Sequence, residues 1–517
     1  MTRRDKDGSL PKDETDGAVI PLKIRALDQE FRALDEQADA AIDLDLHGNP
    51  LAIPGIPHLT ALGNAERLVA RYGDKLRFAW SGMSGYWLAW DGRIWNRDAG
   101  DMLARFSKGL AANLIRDSLK VKESRSKTEI FKHALRTEQP RALEDMLYFA
   151  RSDEKVAIRA PALDADPWLL CCTNGTIDLR TGELRKHNPD DLITRMVPVS
   201  YNPAAKSELF DRFLVSATNG DKELERYLQR ALGFSTCGEY ADEQVYFVYG
   251  PTASGKSTLM NAVRSTLGPY AATASGGSFL QTTPGGPRND LAQLDKTRFI
   301  VIDELNRGQR LNVALLKQWC GTDAIRVRFL YHESFEIVER GRLFFSTNHR
   351  PRLPDDDDAV WRRVRVVPFN HTIPEEKRDP AVKRDLCNLK LSGAAILAWL
   401  VKGCLAYRKE GLTPPSAVAE ATLAYRHEVS ELNDWLEERC EVQPGNPLFE
   451  EESASLWSDY QNWAANEGVR YPVKSQREFG KKLGTYGFDH TRVRKGHQAV
   501  RVWRGIQLRP AESGGSE

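Results

Sequence analysis

The chain lacks several features that would place it in a specialised class. Its seven cysteines include no C-x-x-C pair, so the sequence indicates neither a zinc site nor a disulfide framework. The opening MTRRDKDGSLPKDETDG has no apolar core for a signal peptide, and no uninterrupted apolar run approaches membrane-spanning length. We therefore expect a soluble, cytoplasmic protein with no membrane partner.

A strong net charge is also missing. The 73 Lys and Arg residues nearly balance 72 Asp and Glu residues, which gives a formal net charge of +1. A balanced total provides no global attraction to nucleic acid, although it can hide a basic region. The length of 517 residues exceeds what one hydrophobic core usually organises, so several domains are expected.

Composition and periodicity divide the chain into six segments. Charge followed by Pro and Gly predicts a flexible N-terminal arm, and alternating strand and helix patterns predict a mixed α+β domain after it. Apolar strands and helices then surround one glycine-rich motif, and GLTPPSAV marks a linker before a small C-terminal unit. The predicted segments are the arm 1–58, the α+β domain 59–215, the α/β core 216–410, the linker 411–432, the C-terminal domain 433–509 and the tail 510–517.

The glycine-rich motif lies in VYGPTASGKSTLMNAV, which fits the phosphate-binding pattern G-x-x-x-x-G-K-[ST]. An apolar strand pattern precedes it and a helical pattern follows, a context that distinguishes it from a chance match on a surface turn. Loop amides would hold the phosphates of ATP, Lys256 would reach the β and γ oxygens, and Ser257 would bind Mg²⁺. The predicted nucleotide-binding residues are Gly250, Pro251, Thr252, Ala253, Ser254, Gly255, Lys256, Ser257 and Thr258.

Two carboxylates follow the apolar strand pattern in RFIVIDELN. Asp303 is expected to join the Mg²⁺ shell, and Glu304 to polarise a water for attack on the γ-phosphate. This chemistry predicts hydrolysis rather than phosphate transfer to a substrate. An acidic pair at a strand end is also a common helix cap, but this pair follows a phosphate loop at crossover distance.

Polar residues follow two further strand patterns. In GRLFFSTNHRPRL, Asn348 could sense the γ-phosphate. In AVWRRVRVVPF, Arg362 and Arg363 are candidates for an arginine finger, which another subunit can supply. Taken alone, the arginine pair is more typical of a solvated strand edge.

The order of these motifs, namely the phosphate loop, IDEL, LLKQWCGTDAIRVRFLYHESFEIV, FFSTN and WRRVRVVPF, resembles the superfamily 3 helicases of the phage and plasmid primase-helicase family. Upstream, LTALGNAERL, WLAWDGRIWNRD and NGTIDLRTGEL are similar to the domain before the motor, so the resemblance covers roughly residues 60–400. It implies an AAA+-type core and a hexameric ring on single-stranded or forked DNA in a host bacterial cytoplasm. A separate primase or polymerase is a candidate partner.

The same resemblance assigns the family's pore hairpin to IRVRFLYHESFEIV, with its turn near residues 331–334. Arg326 and Arg328 alternate there with apolar residues, as in a half-buried strand. Related proteins often carry a Lys at the hairpin tip, whereas Tyr331 and His332 lie closest to it here. An isolated His in a turn usually just faces solvent. The four residues are nevertheless candidate DNA contacts, because of the hairpin's position and because aromatic and cationic groups suit DNA backbones and bases.

Many relatives also carry an N-terminal primase-polymerase, and DLDLHG resembles its metal-binding carboxylates. Only about forty polar residues precede DLDLHG, too few to bury the core that such a domain needs. We therefore expect no primase activity in this chain.

The C-terminal segment carries a basic module. DWLEERC, SASLWSDYQNWAANEG and SQREFGKKLGTYGF predict three helices, the third capped by Ser475 with Glu478 three residues on. HTRVRKGHQAVRVWRGIQL predicts a following hairpin, the order of a winged helix. Residues 470–509 contain eleven basic and two acidic residues, which favours phosphate binding over the alternative of protein contacts. The predicted duplex or fork contacts are Lys481, Lys482, Arg492, Arg494 and Lys495.

The sequence thus predicts an α/β protein with a P-loop ATPase core, which the resemblance implies is of AAA+ type, between a mixed α+β N-terminal domain and a winged-helix-like C-terminal domain. We expect an ATP-dependent hexameric replicative DNA helicase of a phage, plasmid or related mobile element. Two alternatives stay open: a double-stranded DNA translocase or packaging ATPase, and an origin-binding regulatory protein whose ATPase controls assembly.

Overall fold

The computed structural model describes residues 58–97, 100–121, 124–239, 242–281, 288–302, 305, 309–321, 324–328, 334–337, 341–349, 351, 353, 357–428, 431–469, 472–473, 475–495 and 498–510. Contacts divide the chain into two compact units. Unit 1 ends at Ala160, and unit 2 comprises Gly92–Trp95 and the residues from Pro161 onward. The predicted arm 1–58 lies outside the described residues except for its last position.

Unit 1 packs helices on a small sheet. Its elements are α1 Ala61–Tyr72, β1 Leu76–Ser81, β2 Ser84–Trp90, β3 Trp95–Asn96 (of which only Asn96 belongs to this unit), α2 Gly100–Lys120, α3 Ser124–Thr137, α4 Pro140–Ala150 and β4 Ala157–Arg159. Strand β1 pairs antiparallel with β2 and parallel with β4. Leu68 and Val69 of α1 share a core with Leu76 and Phe78 of β1, so the apolar face of the helix covers one face of the sheet. This arrangement agrees with the α+β class predicted for the region.

Unit 2 begins with a small sheet and two helices that pack on its centre. These elements are β5 Leu169–Cys172, β6 Gly175–Asp178, β7 Glu183–Arg185, α5 Glu208–Ala217 and α6 Lys222–Phe234. Leu170 and Ile177 share one hydrophobic core with Tyr246 and Val248. The buried Arg298 donates to the carbonyls of Thr236 at 2.8 Å and Leu169 at 3.0 Å. Residues 161–215 therefore fold with the phosphate-loop region, which differs from the predicted boundary at residue 215.

A five-stranded parallel sheet forms the centre of unit 2. Its region contains β8 Val245–Tyr249, α7 Lys256–Leu267, β9 Ala271–Ala274, α8 Asn289–Ala292, β10 Phe299–Ile302, α9 Val313–Cys320, β11 Ile325–Arg328, β12 Ser334–Ile337, β13 Arg342–Thr347, α10 Asp358–Trp361 and β14 Val364–Pro368. The strand order is β14-β8-β13-β10-β9, and every neighbouring pair is parallel. Tyr246 stacks on Phe344 at 4.5 Å, and Phe247 stacks on Phe345 at 4.7 Å. Aromatic pairs thus bind β8 to β13 on both faces of the sheet.

Three helices follow the sheet, namely α11 Pro380–Cys387, α12 Ala394–Glu410 and α13 Ser416–Glu428. Residues 389–410 are long and apolar enough to cross a membrane by length and composition. In this fold, however, α12 packs closely on α6, and a Cβ added at Gly403 would lie 1.9 Å from the carbonyl oxygen of Gln229. Since much of its apolar surface lies in the hydrophobic core, we interpret α12 as a core helix.

Helix α13 occupies most of the predicted linker 411–432. Its buried Tyr425 contacts the rings of Trp361 at 5.3 Å and Phe247 at 5.9 Å. The hydroxyl of Thr422 accepts a hydrogen bond from the amide of Val366 at 3.0 Å. The prolines of GLTPPSAV directly precede this helix, and the carbonyl of Pro415 accepts from the amides of Val418 and Ala419 at 3.0 Å. The proline pair therefore marks a helix start within the segment predicted to be a linker.

The C-terminal module has the three predicted helices and the predicted hairpin. Its elements are α14 Glu431–Arg439, β15 Cys440–Val442, β16 Glu450–Glu452, α15 Ser453–Asn466, α16 Gln476–Thr485, β17 Asp489–Lys495, β18 Gln498–Arg504 and β19 Ile506–Leu508. Ser475 caps α16 by accepting from the amide of Glu478 at 3.3 Å, as predicted. Burial favours a raised pKa for Asp459, but hydrogen bonds from Arg439 and Trp435 lower that pKa below its usual value. The ionised carboxylate thus ties α14 to α15.

Candidate active site

The phosphate-loop motif lies between β8 and α7, in the strand, loop and helix order that the sequence predicts. Gly255 has a φ of 92°, and a Cβ there would lie 3.2 Å from the ring of Phe213, so both the turn and the packing favour glycine. The loop is also fixed from outside, because Ile373 donates its amide to the carbonyl of Ala253 at 3.0 Å. The loop therefore has a defined shape, and the backbone amides that follow it belong to the first turn of α7.

Lys256 is the first residue of α7 and is only 5% exposed. Its ammonium donates to the carbonyls of Gly250 at 2.6 Å and Pro251 at 2.7 Å, and to the hydroxyl of Ser254 at 3.1 Å. The positive charge is thus held inside the loop. Ser257 follows in the first turn of the helix and is exposed, a position that fits a hydroxyl ligand for Mg²⁺.

The sheet register places Asn348 at the same edge as this loop. Thr347 is the last residue of β13 and pairs with Tyr249, the last residue of β8. Asn348 and Gly250 are the next residues on the two parallel strands, and Asn348 is half-buried. Strand β10 also runs parallel and ends at Ile302, directly before Asp303 and Glu304 in the sequence. Asp303 and Glu304 themselves lie outside the described residues.

The two candidate finger arginines lie at the amino-terminal ends of the strands, opposite the end that carries the phosphate loop. Both precede β14, whose first residue pairs with Val245, the first residue of β8. Arg363 forms an ion pair with Glu243 and donates to the carbonyl of Ala359 at 2.8 Å. Arg362, by contrast, is exposed. The structure thus separates two neighbours that the sequence could not distinguish.

Strands β11 and β12 form the predicted hairpin, paired from Ile325↔Ile337 to Arg328↔Ser334. Arg326 and Arg328 are exposed and alternate with buried Ile325 and Val327, as predicted. Arg326 forms an ion pair with Glu336 on the paired strand at 3.1 Å, so part of its charge is balanced within the hairpin. Tyr331 and His332 lie outside the described residues.

The basic residues of the C-terminal module lie on two elements. Lys481 is exposed and Lys482 half-buried on α16, while Arg492 and Arg494 are exposed on β17. Arg492 and Arg494 are two residues apart and share a face of the strand. Arg501 of β18 pairs directly with Arg492 and therefore belongs to the same face. The predicted set of DNA contacts omits Arg501, because its place on this face follows only from the strand register. The side chain of Lys495 lies outside the described residues.

Comparison with known proteins finds a family match and several similar viral proteins. Residues 65–219 match a family described as D5 N terminal like. The chain is 27% identical over 301 residues to "Putative helicase L207/L206" of Acanthamoeba polyphaga mimivirus, and 25% identical over 395 residues to "Putative helicase 022R" of Frog virus 3. These alignments cover 53% and 60% of the chain.

The chain is thus similar to viral proteins named putative helicases, and one of its regions matches the D5 N terminal like family. It spans only 30% and 40% of the length of these two relatives. Residues 248–363, which contain the phosphate loop, Asn348 and both candidate finger arginines, match a second family described as DUF5906, of unknown function. Among solved structures, the apo C-terminal region of NrS-1 aligns with a TM-score of 0.42 and 12% identity, covering 70% of this chain and 89% of that one.

Proposed function

We propose that unit 2 of this D5-like chain hydrolyses ATP. The observation that carries the proposal is the buried Lys256 inside a shaped loop between β8 and α7, with Asn348 following the neighbouring strand. The loop amides and Lys256 would bind the phosphates, and Ser257 with Asp303 would hold Mg²⁺, which offsets phosphate charge. Glu304 would orient and deprotonate the attacking water.

The second element of the proposal is assembly into a ring, with an AAA+-type core and six subunits. Arg362 precedes β14 at the amino-terminal edge of the sheet, whereas the phosphate loop follows β8 at the carboxyl-terminal edge. The five residues of β8, at about 3.3 Å each, separate these edges by roughly 17 Å, farther than an arginine side chain reaches. Arg362 therefore cannot serve the loop of its own chain. An exposed arginine in this position supports a finger that acts on the site of a neighbouring subunit.

The third element is movement along single-stranded DNA. The β11–β12 hairpin presents Arg328 without a carboxylate partner among the described residues, in contrast to Arg326. In the C-terminal module, Arg492 and Arg501 lie directly opposite each other, and like charges in that arrangement repel. A phosphate backbone would relieve this repulsion. We assign Arg328 to contact with single-stranded DNA, and the winged-helix-like module to contact with duplex or forked DNA.

The proposed function is thus an ATP-driven DNA helicase of a replicating mobile element. A forked duplex tests it, with ATP turnover and strand separation followed on the same substrate. ATP-dependent strand separation supports the helicase. Turnover without separation would instead favour a duplex translocase, and site-specific duplex binding without movement would favour an assembly regulator.

A further inference from the structure

Unit 1 carries an aromatic and basic surface that the ATPase does not use. Four residues define it and are called the Trp80 surface: Trp80 on β1, Tyr148 on α4, Arg151 after α4 and Arg159 on β4. The guanidinium of Arg151 lies over the ring of Tyr148 at 3.9 Å and near the ring of Trp80 at 5.3 Å. Strand register places Arg159 beside Trp80. The four side chains therefore come together from three elements.

The rings of this surface are accessible. Tyr148 is 58% exposed, and its neighbour Phe149 is 43% exposed at a ring distance of 5.7 Å. Trp80 is half-buried, with its indole packed edge-on against Phe78 at 4.7 Å. The packed edge fixes the indole, so Trp80 loses little side-chain entropy when a ligand stacks on it. Exposed aromatic rings on a fixed support are typical of a binding surface.

Two positive charges, those of Arg151 and Arg159, lie near the rings. Arg159 is exposed, and neither Arg151 nor Arg159 forms an ion pair with a described residue. Nearby Asp153 accepts a hydrogen bond from the amide of Lys155 at 2.9 Å, and Glu144 lies one helical turn before Tyr148. The basic region is thus bounded by acidic residues on the helix side, so a ligand's phosphates would follow the β1–β4 side.

We propose that the Trp80 surface binds a single-stranded polynucleotide. Every nucleobase has a face that can stack on an aromatic ring, and the backbone between bases carries the negative charge that Arg151 and Arg159 would meet. A duplex keeps its bases stacked on each other and cannot offer them to Tyr148. The Trp80 surface therefore distinguishes single-stranded from duplex polynucleotides by their unpaired bases, and it has no base-sequence preference. This inference does not depend on the phosphate loop.

Binding of the full chain to labelled oligo(dT), measured by fluorescence anisotropy without ATP, tests the proposal. Tyr148→Ala and Arg159→Ala should each weaken binding about fivefold or more, while Tyr148→Phe, which keeps the ring, should bind normally. Arg116→Ala is the matched control, because Arg116 is an exposed arginine of α2 whose guanidinium donates to Asn113 at 3.2 Å. Oligo(rU) reports whether the 2′-hydroxyl alters binding, and a duplex of equal length should be insensitive to Tyr148→Ala.

Photocross-linking locates the bound strand independently of affinity. Oligo(dT) carrying 5-iododeoxyuridine should cross-link to peptides that contain Trp80 or Tyr148. The proposal is overturned if cross-links form only outside unit 1 and both alanine variants bind oligo(dT) normally. It is also overturned if Tyr148→Ala weakens duplex binding as much as oligo(dT) binding, because stacking on unpaired bases would then not explain the effect.

Discussion

Arg363 pairs with Glu243 across the amino-terminal ends of β14 and β8. The pair leaves the Arg363 side chain only 15% exposed, and the same guanidinium also donates to the carbonyl of Ala359. The guanidinium of Arg363 therefore already binds groups of its own chain. Its neighbour Arg362 is exposed, which is why the proposed finger is assigned to Arg362.

Arg362→Ala should lower ATP turnover by about 10³-fold or more, because the transition state loses a cationic partner. Mixing this variant with Lys256→Ala chains should restore part of the turnover, since some interfaces then combine an intact loop with an intact finger. Arg363→Ala should instead lower the melting temperature without this rescue. Absence of rescue in any mixture would contradict action across subunits.

Substitutions in the phosphate loop and the acidic pair should separate binding from chemistry. Lys256→Ala should abolish turnover, because the γ-phosphate loses its ammonium partner. Glu304→Gln should retain ATP binding while blocking hydrolysis, since the amide cannot accept the proton of the attacking water. Fluorescent nucleotide binding measured beside phosphate release checks both, and near-normal turnover in Glu304→Gln would remove that residue from its assigned role.

The two hairpin arginines should differ in their effect on DNA-stimulated ATP turnover. Arg328→Ala should reduce the stimulation more than Arg326→Ala, because Glu336 already balances Arg326. The exposed pair itself contributes no more than about 1 kcal/mol to stability, so Glu336→Gln should fold normally and increase single-strand affinity by releasing Arg326. Equal losses for the two arginine variants, with no gain from Glu336→Gln, would argue against this assignment.

Duplex binding by the C-terminal module should depend on its shared arginine face. Neutralising Lys481, Lys482, Arg492, Arg494 and Lys495 should weaken binding and reduce the salt slope by about 0.9 per lost phosphate contact, with basal ATP turnover intact. Adding Arg501→Ala should reduce the slope further. Arg504→Ala is the matched control, because Arg504 lies on the same strand and pairs with Glu450 at 3.4 Å. An unchanged slope would assign the module to protein contacts.

Local motifs were predictable because each depends on a short stretch of sequence. The loop before Lys256, the hairpin at 325–337 and the cap at Ser475 follow from spacing and residue type, and the structure has each in its expected element. Periodicity likewise distinguished the apolar strands of the central sheet from the helices around it.

Features that depend on distant contacts were not predictable in the same way. Burial of Tyr425 against Phe247 turns an expected linker into a packed helix, and the ion pair with Glu243 distinguishes the surroundings of Arg363 from those of Arg362. Similarly, the pairing of Arg501 with Arg492 depends on strand register. None of these partners is close enough in sequence to leave a periodic pattern, so only the fold reveals them.

Strand separation on a forked DNA substrate tests the central claim most directly. Wild-type chain and Lys256→Ala are compared with ATP and Mg²⁺, with excess unlabelled strand to prevent reannealing, and release of the labelled strand is followed over time. The account predicts release by wild type only while ATP is hydrolysed, and none by Lys256→Ala. Sustained ATP hydrolysis by wild type on this fork, with the duplex left intact, would contradict it.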